Sequence, residues 1–540
     1  MSSTVVSTPK GKVKGKIVDL KVKDAKLVHV FRNIPFAKPP VGSLRFMPPQ
    51  PVEPWSGVRD GTVAGSVPMY ARVIDDMFRP YILLPDTCDS ELIVDEDCLH
   101  VSVYTPHLEK DKKLPVMVWL FGGGFSMGSE RLYDGSMLAG MNDVVVVVPN
   151  YRVGIFGFLS LGPSSICTGN AGLLDQQMAL RWVQENIDVF GGNKKNVTIF
   201  GESAGGISVN MQMLSPLARG LFHKAISHSG QAIVKGLFQT AEKNAEKIKK
   251  CLTHLKIEEE DDCKILEALQ KIPANDLVNA SMDLSLQKVL FVPTFDGNVF
   301  SKNPEEYVKD KDFAKIPYII GCNKSEGHGI LSVFLSPNYL TGIAEEEEVF
   351  KAIYIPLSKE GFEKCKEFYP ADDQDLQKWS KLMGNILGDA MFVAPAVEIA
   401  SVHSASGAPT YFYHGDFNLK LFQDKEYGPE VGKRPYWCDC DHSDDILLTF
   451  GIPFTTNKLP LGTKYTNEEK EMSRQFMKYL TNFAKTGDPN KGQKVDTKWP
   501  KYVSKGRHLV IDTPLSVGEN LSEKVAKFWN EVMPSHMIDN

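Results

Sequence analysis

Short apolar runs alternate with amphipathic stretches along this 540-residue chain. Val116–Phe121, Val144–Val148, Val197–Phe200, Ala225–His228, Tyr318–Gly321 and Thr410–Tyr413 are dominated by β-branched, aliphatic and aromatic residues. Runs of that length with little polar alternation predict strands covered on both faces, the core of a mainly parallel sheet. Asp175–Asn186 and Asn467–Lys485 carry helical spacing and predict flanking helices. The pattern is that of an α/β fold. Polar insertions interrupt it at Pro68–Glu96 and Thr240–Leu290, with an acidic run at Glu345–Glu348. Loops of that size over the carboxyl ends of the strands are where a lid and a substrate pocket are expected. Lys10–Lys26 alternates lysines with apolar residues and predicts an edge hairpin. No repeat, low-complexity tract or linker divides the chain, and one elaborated domain spanning residues 1–540 is expected.

Chemistry enters where the run Val197–Phe200 feeds into Gly201-Glu202-Ser203-Ala204-Gly205-Gly206. Gly-x-Ser-x-Gly between a strand and a helix is a nucleophile elbow: the sharp turn projects the serine hydroxyl, and the flanking glycines let neighbouring backbone crowd in. Gly206–Leu214 has the composition of the helix that should follow. A second match, Gly124-Phe125-Ser126-Met127-Gly128, also follows a strand, but Ser129–Gly135 has no helical periodicity, so Ser126 belongs to a glycine loop. That loop, Phe121-Gly122-Gly123-Gly124, has the form that supplies backbone amides to a developing oxyanion, with Gly123, Gly124 and Ala204 the candidate donors.

A serine hydroxyl needs a base, and the base needs a third group to orient it. Of twelve histidines, His442 in Asp441-His442-Ser443-Asp444-Asp445 stands in a polar loop far downstream of Ser203, in the chain order serine, acid, histidine. Glu326 follows the strand Ile316–Ile320 and is the candidate acid. His328 is a rival base two residues from Glu326.

At this point the chain resembles a known family. Phe36–Phe46 (FAKPPVGSLRF), Glu96–Leu99 (EDCL), Gly169–Gln176 (GNAGLLDQ), Ala179–Val183 (ALRWV), Phe190–Asn193 (FGGN) and Gly201–Gly206 (GESAGG) stand in the order found in type-B carboxylesterases, from about Lys12 to about Trp529. The PFAKPP stretch and Arg219–His223 are most similar to vertebrate liver-type members. The resemblance implies an α/β-hydrolase fold with large loop insertions, a Ser203, Glu326, His442 triad and an oxyanion hole of Gly123, Gly124 and Ala204. It also implies a disulfide between Cys251 and Cys263, bracketing a short acidic loop. Tyr70 stands where relatives usually have the cysteine that pairs with the equivalent of Cys98, so Cys88 and Cys98 are the alternative second pair. Phe121 replaces a common histidine, and His442-Ser443-Asp444-Asp445 departs from the frequent His-Gly-Asp-Glu.

Composition narrows the partners. The net charge of −6 disfavours a nucleic-acid backbone, and a small-molecule ester is the expected partner. Cys438-Asp439-Cys440 is too closely spaced for a zinc knuckle, and neither metal nor cofactor is expected. Asn196, Asn279, Asn323 and Asn520 begin glycosylation sequons, of which Asn196 and Asn323 flank core strands. Met1–Leu20 lacks an apolar signal core, and no run of 18 or more apolar residues stands out as a membrane span. The implied disulfide tips the localisation toward the secretory pathway, secreted or in the endoplasmic reticulum lumen, with the cytoplasm as the alternative. The expected activity is hydrolysis of neutral, small to medium carboxylic esters through a serine acyl-enzyme. A cholinesterase-like or lipase-like enzyme and a non-catalytic adhesion relative are the alternatives. The absence of tryptophan from Tyr70–Cys98 weighs against choline esters, because a quaternary ammonium needs an aromatic face.

Overall fold

The structure is a computed structural model that describes residues 3–71, 92–238, 240–286, 291–334, 355–370, 372, 374–424, 434–455, 464–503 and 505–538. Cys88, most of the insertion Pro68–Glu96 and the acidic run Glu345–Glu348 lie outside the described residues. The strands are β1 (Ser3–Ser7), β2 (Lys12–Val18), β3 (Val28–Pro35), β4 (Val58–Asp60), β5 (His100–Thr105), β6 (Leu114–Leu120) and β7 (Val145–Pro149). They continue with β8 (Gly192–Glu202), β9 (Lys224–His228), β10 (Tyr318–Asn323), β11 (Thr410–Gly415), β12 (His508–Ile511) and β13 (Ser516–Gly518). All belong to one 13-stranded sheet of order β1-β2-β3-β5-β7-β6-β8-β9-β10-β11-β12-β13, with β4 beside β2. From β7 to β12 every neighbour is parallel. Antiparallel pairs close both flanks, including the β1–β2 hairpin at the edge.

The six expected core strands are β6 to β11, and their side chains divide by the two-residue period of the pleat. Val116, Val118, Leu120 and Ile199 face one core with Leu173, Leu180 and Val183 of helix α1 (Ala171–Asn186) and Ile207 and Met211 of helix α2 (Ala204–Leu214). Met117, Trp119 and Phe200 face the other. Burial on both sides is why these strands read as unbroken apolar runs.

The insertion after Thr240 is helical rather than loop-like. Helices α3 (Ala241–His254), α4 (Asp262–Lys271) and α5 (Ala274–Leu286) fill it, and the side chains of Thr240 and Asp261 cap the first two by accepting the amides of Lys243 and Lys264. They read as polar because each buries a single face. This geometry overturns the expected Cys251–Cys263 bridge: both thiols are free. Cys251 lies on the inward face of α3, packed into the core, whereas Cys263 in the first turn of α4 is exposed. Cys98, the remaining described member of the second proposed pair, is a buried free thiol.

Two further helices back the second core, α6 (Asp444–Thr449) and α7 (Asn467–Thr486), the latter one residue longer than its predicted span. Thr466 and Glu469 form a capping box at its start, and Gly487 in the left-handed region ends it. Lys378–Ala405 is long and apolar enough to cross a membrane by composition, but 67% of its apolar window is buried within the protein, as befits a core helix.

Candidate active site

The parallel strands end together, and the candidate residues stand at those carboxyl ends. Ser203 separates β8 from α2 with φ +57° and ψ −126°, a conformation costing a non-glycine residue on the order of 1–3 kcal/mol. Close packing holds it there. A Cβ on Gly205 would lie 1.9 Å from the Leu120 carbonyl oxygen, and one on Gly201 would lie 2.5 Å from the same atom. The Ser203 amide donates to the carbonyl of His228 on β9 at 3.0 Å, and the Ser203 carbonyl accepts the first bond of α2, from Ile207, at 2.8 Å. The amide of Ala204, ahead of that first bond, has no partner within its own helix.

Glu326 follows β10, and His442 precedes α6. The bridge between Ser325 and Asp441 and the bond from the Ser325 amide to the Cys440 carbonyl, 2.8 Å, bring the two loops side by side. His442 Nδ1 lies 2.6 Å from Glu326 Oε2. The other carboxylate oxygen, Oε1, accepts the Ser229 hydroxyl at 2.5 Å and the Asn323 amide at 2.5 Å. That network fixes the carboxylate, and through it the ring. Phe392 covers the imidazole with its ring centroid 4.4 Å away.

The structure adds Glu202, which the sequence reading quoted within the elbow without a role. Its Oε1 lies 3.1 Å from His442 Nε2 and accepts the Ser443 hydroxyl at 2.5 Å. The residue before the elbow serine therefore joins the far side of the histidine. Burial pushes the Glu202 carboxyl up to about 7, against the pull of His442 and Ser443. Burial alone would lower His442, but the carboxylates of Glu202 and Glu326 outweigh it and hold the imidazole at about 9. The only sequence signal for Glu202 was adjacency to Ser203; for Ser229, adjacency to a strand end.

Gly123 (φ +117°) and Gly124 (φ +60°) occupy conformations suited to glycine, and a Cβ on Gly124 would meet nothing within 4 Å, so this backbone faces open space. The loop is anchored by Tyr151, whose hydroxyl donates to the Phe121 carbonyl at 2.6 Å and whose ring stacks on Phe121 at 4.1 Å. Ser126 lies within this loop, its hydroxyl 3.3 Å from the Gly124 carbonyl, and no helix follows it directly. His328 is buried against Trp437, 4.9 Å between ring centroids, and burial lowers it to about 4. A Cβ on Gly384 would lie 2.0 Å from its ring, so His328 is a packed core side chain. Among the described residues no group of His, Cys, Asp and Glu is arranged to hold a metal ion.

The carboxylesterase family pattern matches residues 2–529. Carboxylesterase 1D of Rattus norvegicus is 37% identical over 554 residues, covering 98% of this chain and 93% of the relative. Pyrethroid hydrolase Ces2e of Rattus norvegicus is 38% identical over 547 residues, covering 99% and 90%. Liver carboxylesterase of Sus scrofa is 36% identical over 556 residues, covering 98% and 93%. With strand ends, glycine loop and the buried Glu326 against the half-buried His442 arranged as described, the chain belongs to the carboxylesterase family and is a carboxylic ester hydrolase.

Proposed function

We propose that Ser203 is the nucleophile, His442 the general base and Glu326 the group that orients it. The observation that carries this reading is the 2.6 Å contact of Glu326 with His442 Nδ1, which leaves Nε2 directed toward the elbow beside Glu202. Ser203 Oγ attacks the ester carbonyl carbon as His442 takes its proton, and the carbonyl oxygen becomes an oxyanion held by the amides of Gly123, Gly124 and Ala204. Collapse breaks the carbon–oxygen bond to the alcohol, which leaves with the proton returned by His442. Water, deprotonated by the same imidazole, then releases the acid from Ser203. The whole chain acts as one elaborated α/β-hydrolase domain, with neither metal nor cofactor in the reaction.

The substrates are neutral esters of small to medium size, with the breadth that the relatives' names, from liver carboxylesterase to pyrethroid hydrolase, suggest. The absence of tryptophan from Tyr70–Cys98 supports the choice of neutral over choline esters, and Tyr70 itself packs in the core. Phe78 and Tyr81 lie outside the described residues. With Cys251 and Cys263 free, secretory-pathway localisation rests on the family resemblance. Asn279 and Asn520 are exposed and suit glycosylation, whereas Asn323 is fully buried and Asn196 is tied to Lys485 and Lys224.

A fluorophosphonate probe followed by peptide mass spectrometry tests the nucleophile: the adduct belongs on Ser203, and Ser203→Ala should lower kcat by about 10⁶-fold. Label on Ser126 instead would overturn the assignment. A neutral butyrate ester should exceed butyrylcholine in kcat/KM; a tenfold preference for butyrylcholine, within the reach of one or two cation–aromatic contacts of about 0.5–2 kcal/mol, would favour the cholinesterase-like reading.

A further inference from the structure

One pair of residues at the end of β9 touches all three arms of the site. His228 accepts the Ser203 amide with its carbonyl, and Ser229 donates its hydroxyl to Glu326. The His228 side chain reaches the third arm. Its Nδ1 lies 3.1 Å from Asp445 Oδ2 and 2.7 Å from the Tyr413 hydroxyl, and Asp445 stands three residues beyond His442 at the start of α6. Asp445 is fully buried and also accepts Tyr413 on Oδ2 and the Asn323 side-chain amide, 3.1 Å away, on Oδ1. The same Asn323 amide donates to the Asp441 carbonyl at 2.9 Å. His442 is thus bracketed by two residues, Asp441 and Asp445, whose positions are set from the strand ends.

The sheet makes room for this link. His228 is in register with Glu202 on one side and Gly321 on the other. A Cβ on Gly321 would lie 1.8 Å from the Tyr413 ring, so the bare glycine lets that ring cross β10 to reach His228 and Asp445. Packing by itself does not call for an imidazole here. Trp119, Tyr413 and Phe476 surround the ring, yet one nitrogen is committed to Asp445 while Nε2 is buried without a hydrogen-bond partner among the described residues. A leucine or phenylalanine would fill such a site without leaving a polar atom stranded, at the cost of Asp445's partner.

We infer that His228 is a positioning residue: its side chain ties the loop bearing His442 to the strand end that fixes Ser203 and Glu326. The inference rests on the proposed triad. Its physical consequence is that the base is held toward the nucleophile through a buried hydrogen bond made three residues beyond it, at Asp445. A misplacement of about 1 Å at a reacting group costs on the order of 10²-fold in rate.

The test compares His228→Leu with His228→Gln, which retains an N–H able to reach Asp445, and uses Asp445→Ala to break the same link from its other end. Each variant is assayed for Tm, kcat and KM with a neutral butyrate ester, and rate of fluorophosphonate labelling at Ser203. Folded His228→Leu should lose about 10²-fold in kcat and in labelling rate with KM within twofold, and His228→Gln should recover most of that loss. If His228→Leu does not fold, folded Asp445→Ala should show the same kcat and labelling defect. Wild-type kcat in folded His228→Leu or Asp445→Ala would overturn the proposal, as would equal impairment of the Leu and Gln variants at equal Tm, the mark of packing alone. Ser203→Ala in the same panel separates the two readings: activity surviving in that variant sinks the triad itself, whereas an inactive Ser203→Ala beside a fully active His228→Leu sinks the positioning role only.

Discussion

Gly122 stands where a methyl group would collide with Glu202: an added Cβ would lie 2.7 Å from the Glu202 carbonyl oxygen, 2.7 Å from its Oε2 and 3.1 Å from the Ser203 Cβ. The glycine loop and the elbow are packed to the limit of backbone contact. Gly122→Ala must therefore push either the loop away from Ser203 or Glu202 away from His442. Displaced amides of the proposed oxyanion hole would cost about 10²-fold to 10³-fold in kcat, and the overpacking costs about 1–3 kcal/mol of stability. Activity and thermal denaturation measured together check this; a folded variant with undiminished kcat would mean that the loop yields without moving its amides.

Glu202→Gln is expected to move the ascending limb of the kcat/KM profile to lower pH. As the proposed base, His442 must be neutral to accept the serine proton, and the Glu202 carboxylate stabilises its protonated form. Removing that charge lowers the imidazole from about 9 and lets activity persist into more acid solution. A limb that stays put would show that Glu202 is protonated throughout the working range, and one that shifts to higher pH would overturn the stabilising role of its carboxylate.

Buried neutral histidines make a distinct contribution to acid sensitivity. His328 is lowered by burial to about 4 from an ordinary value near 6.5. Its folded value lies below its unfolded one, so its contribution is present above about pH 6.5 and is lost as pH falls toward 4. His328→Gln should consequently lose less stability than the parent between pH 7 and pH 5. By linkage the difference is at most about 2 kcal/mol, since the unfolded imidazole is mostly titrated across that interval. Urea denaturation at the two pH values measures it; identical losses in both proteins would show that protonated His328 is accommodated.

Thiol labelling distinguishes the two cysteines that the sequence suggested as partners. Cys263 is exposed and should react with a maleimide in the native protein, while Cys251, buried and pushed up to about 12 by that burial, should react only after unfolding. Peptide mapping that finds the two residues linked would restore the bridge.

What was legible in the sequence is what local sterics encode. The elbow announced itself because a serine at positive φ needs glycines where Leu120 and His228 press against it, and those glycines lie within three residues of Ser203. The core strands were legible because burial on both faces leaves no polar alternation. The partners of His442 were harder: Ser443 meets Glu202 across 241 residues, and His228 meets Asp445 across 217, with nothing in either segment naming the other. The cysteine pairing failed for a related reason. Spacing along the chain carries no information about which face of α3 a thiol occupies, and Cys251 turns inward while Cys263 turns out.

The bond from the Ser203 amide to the His228 carbonyl has a consequence for how this enzyme fails. β8 has neighbours on both sides, β6 and β9, so the amide of Ser203, the proposed nucleophile, continues the hydrogen-bond ladder at the middle of the parallel block. Such an amide exchanges its hydrogen with solvent only when the centre of the sheet opens, among the costliest openings available to the fold. Deuterium uptake at Ser203 then tracks global unfolding, and heat or denaturant removes the proposed nucleophile together with the sheet centre. With Ser203 as the proposed nucleophile, titration by an active-site probe becomes a count of folded molecules.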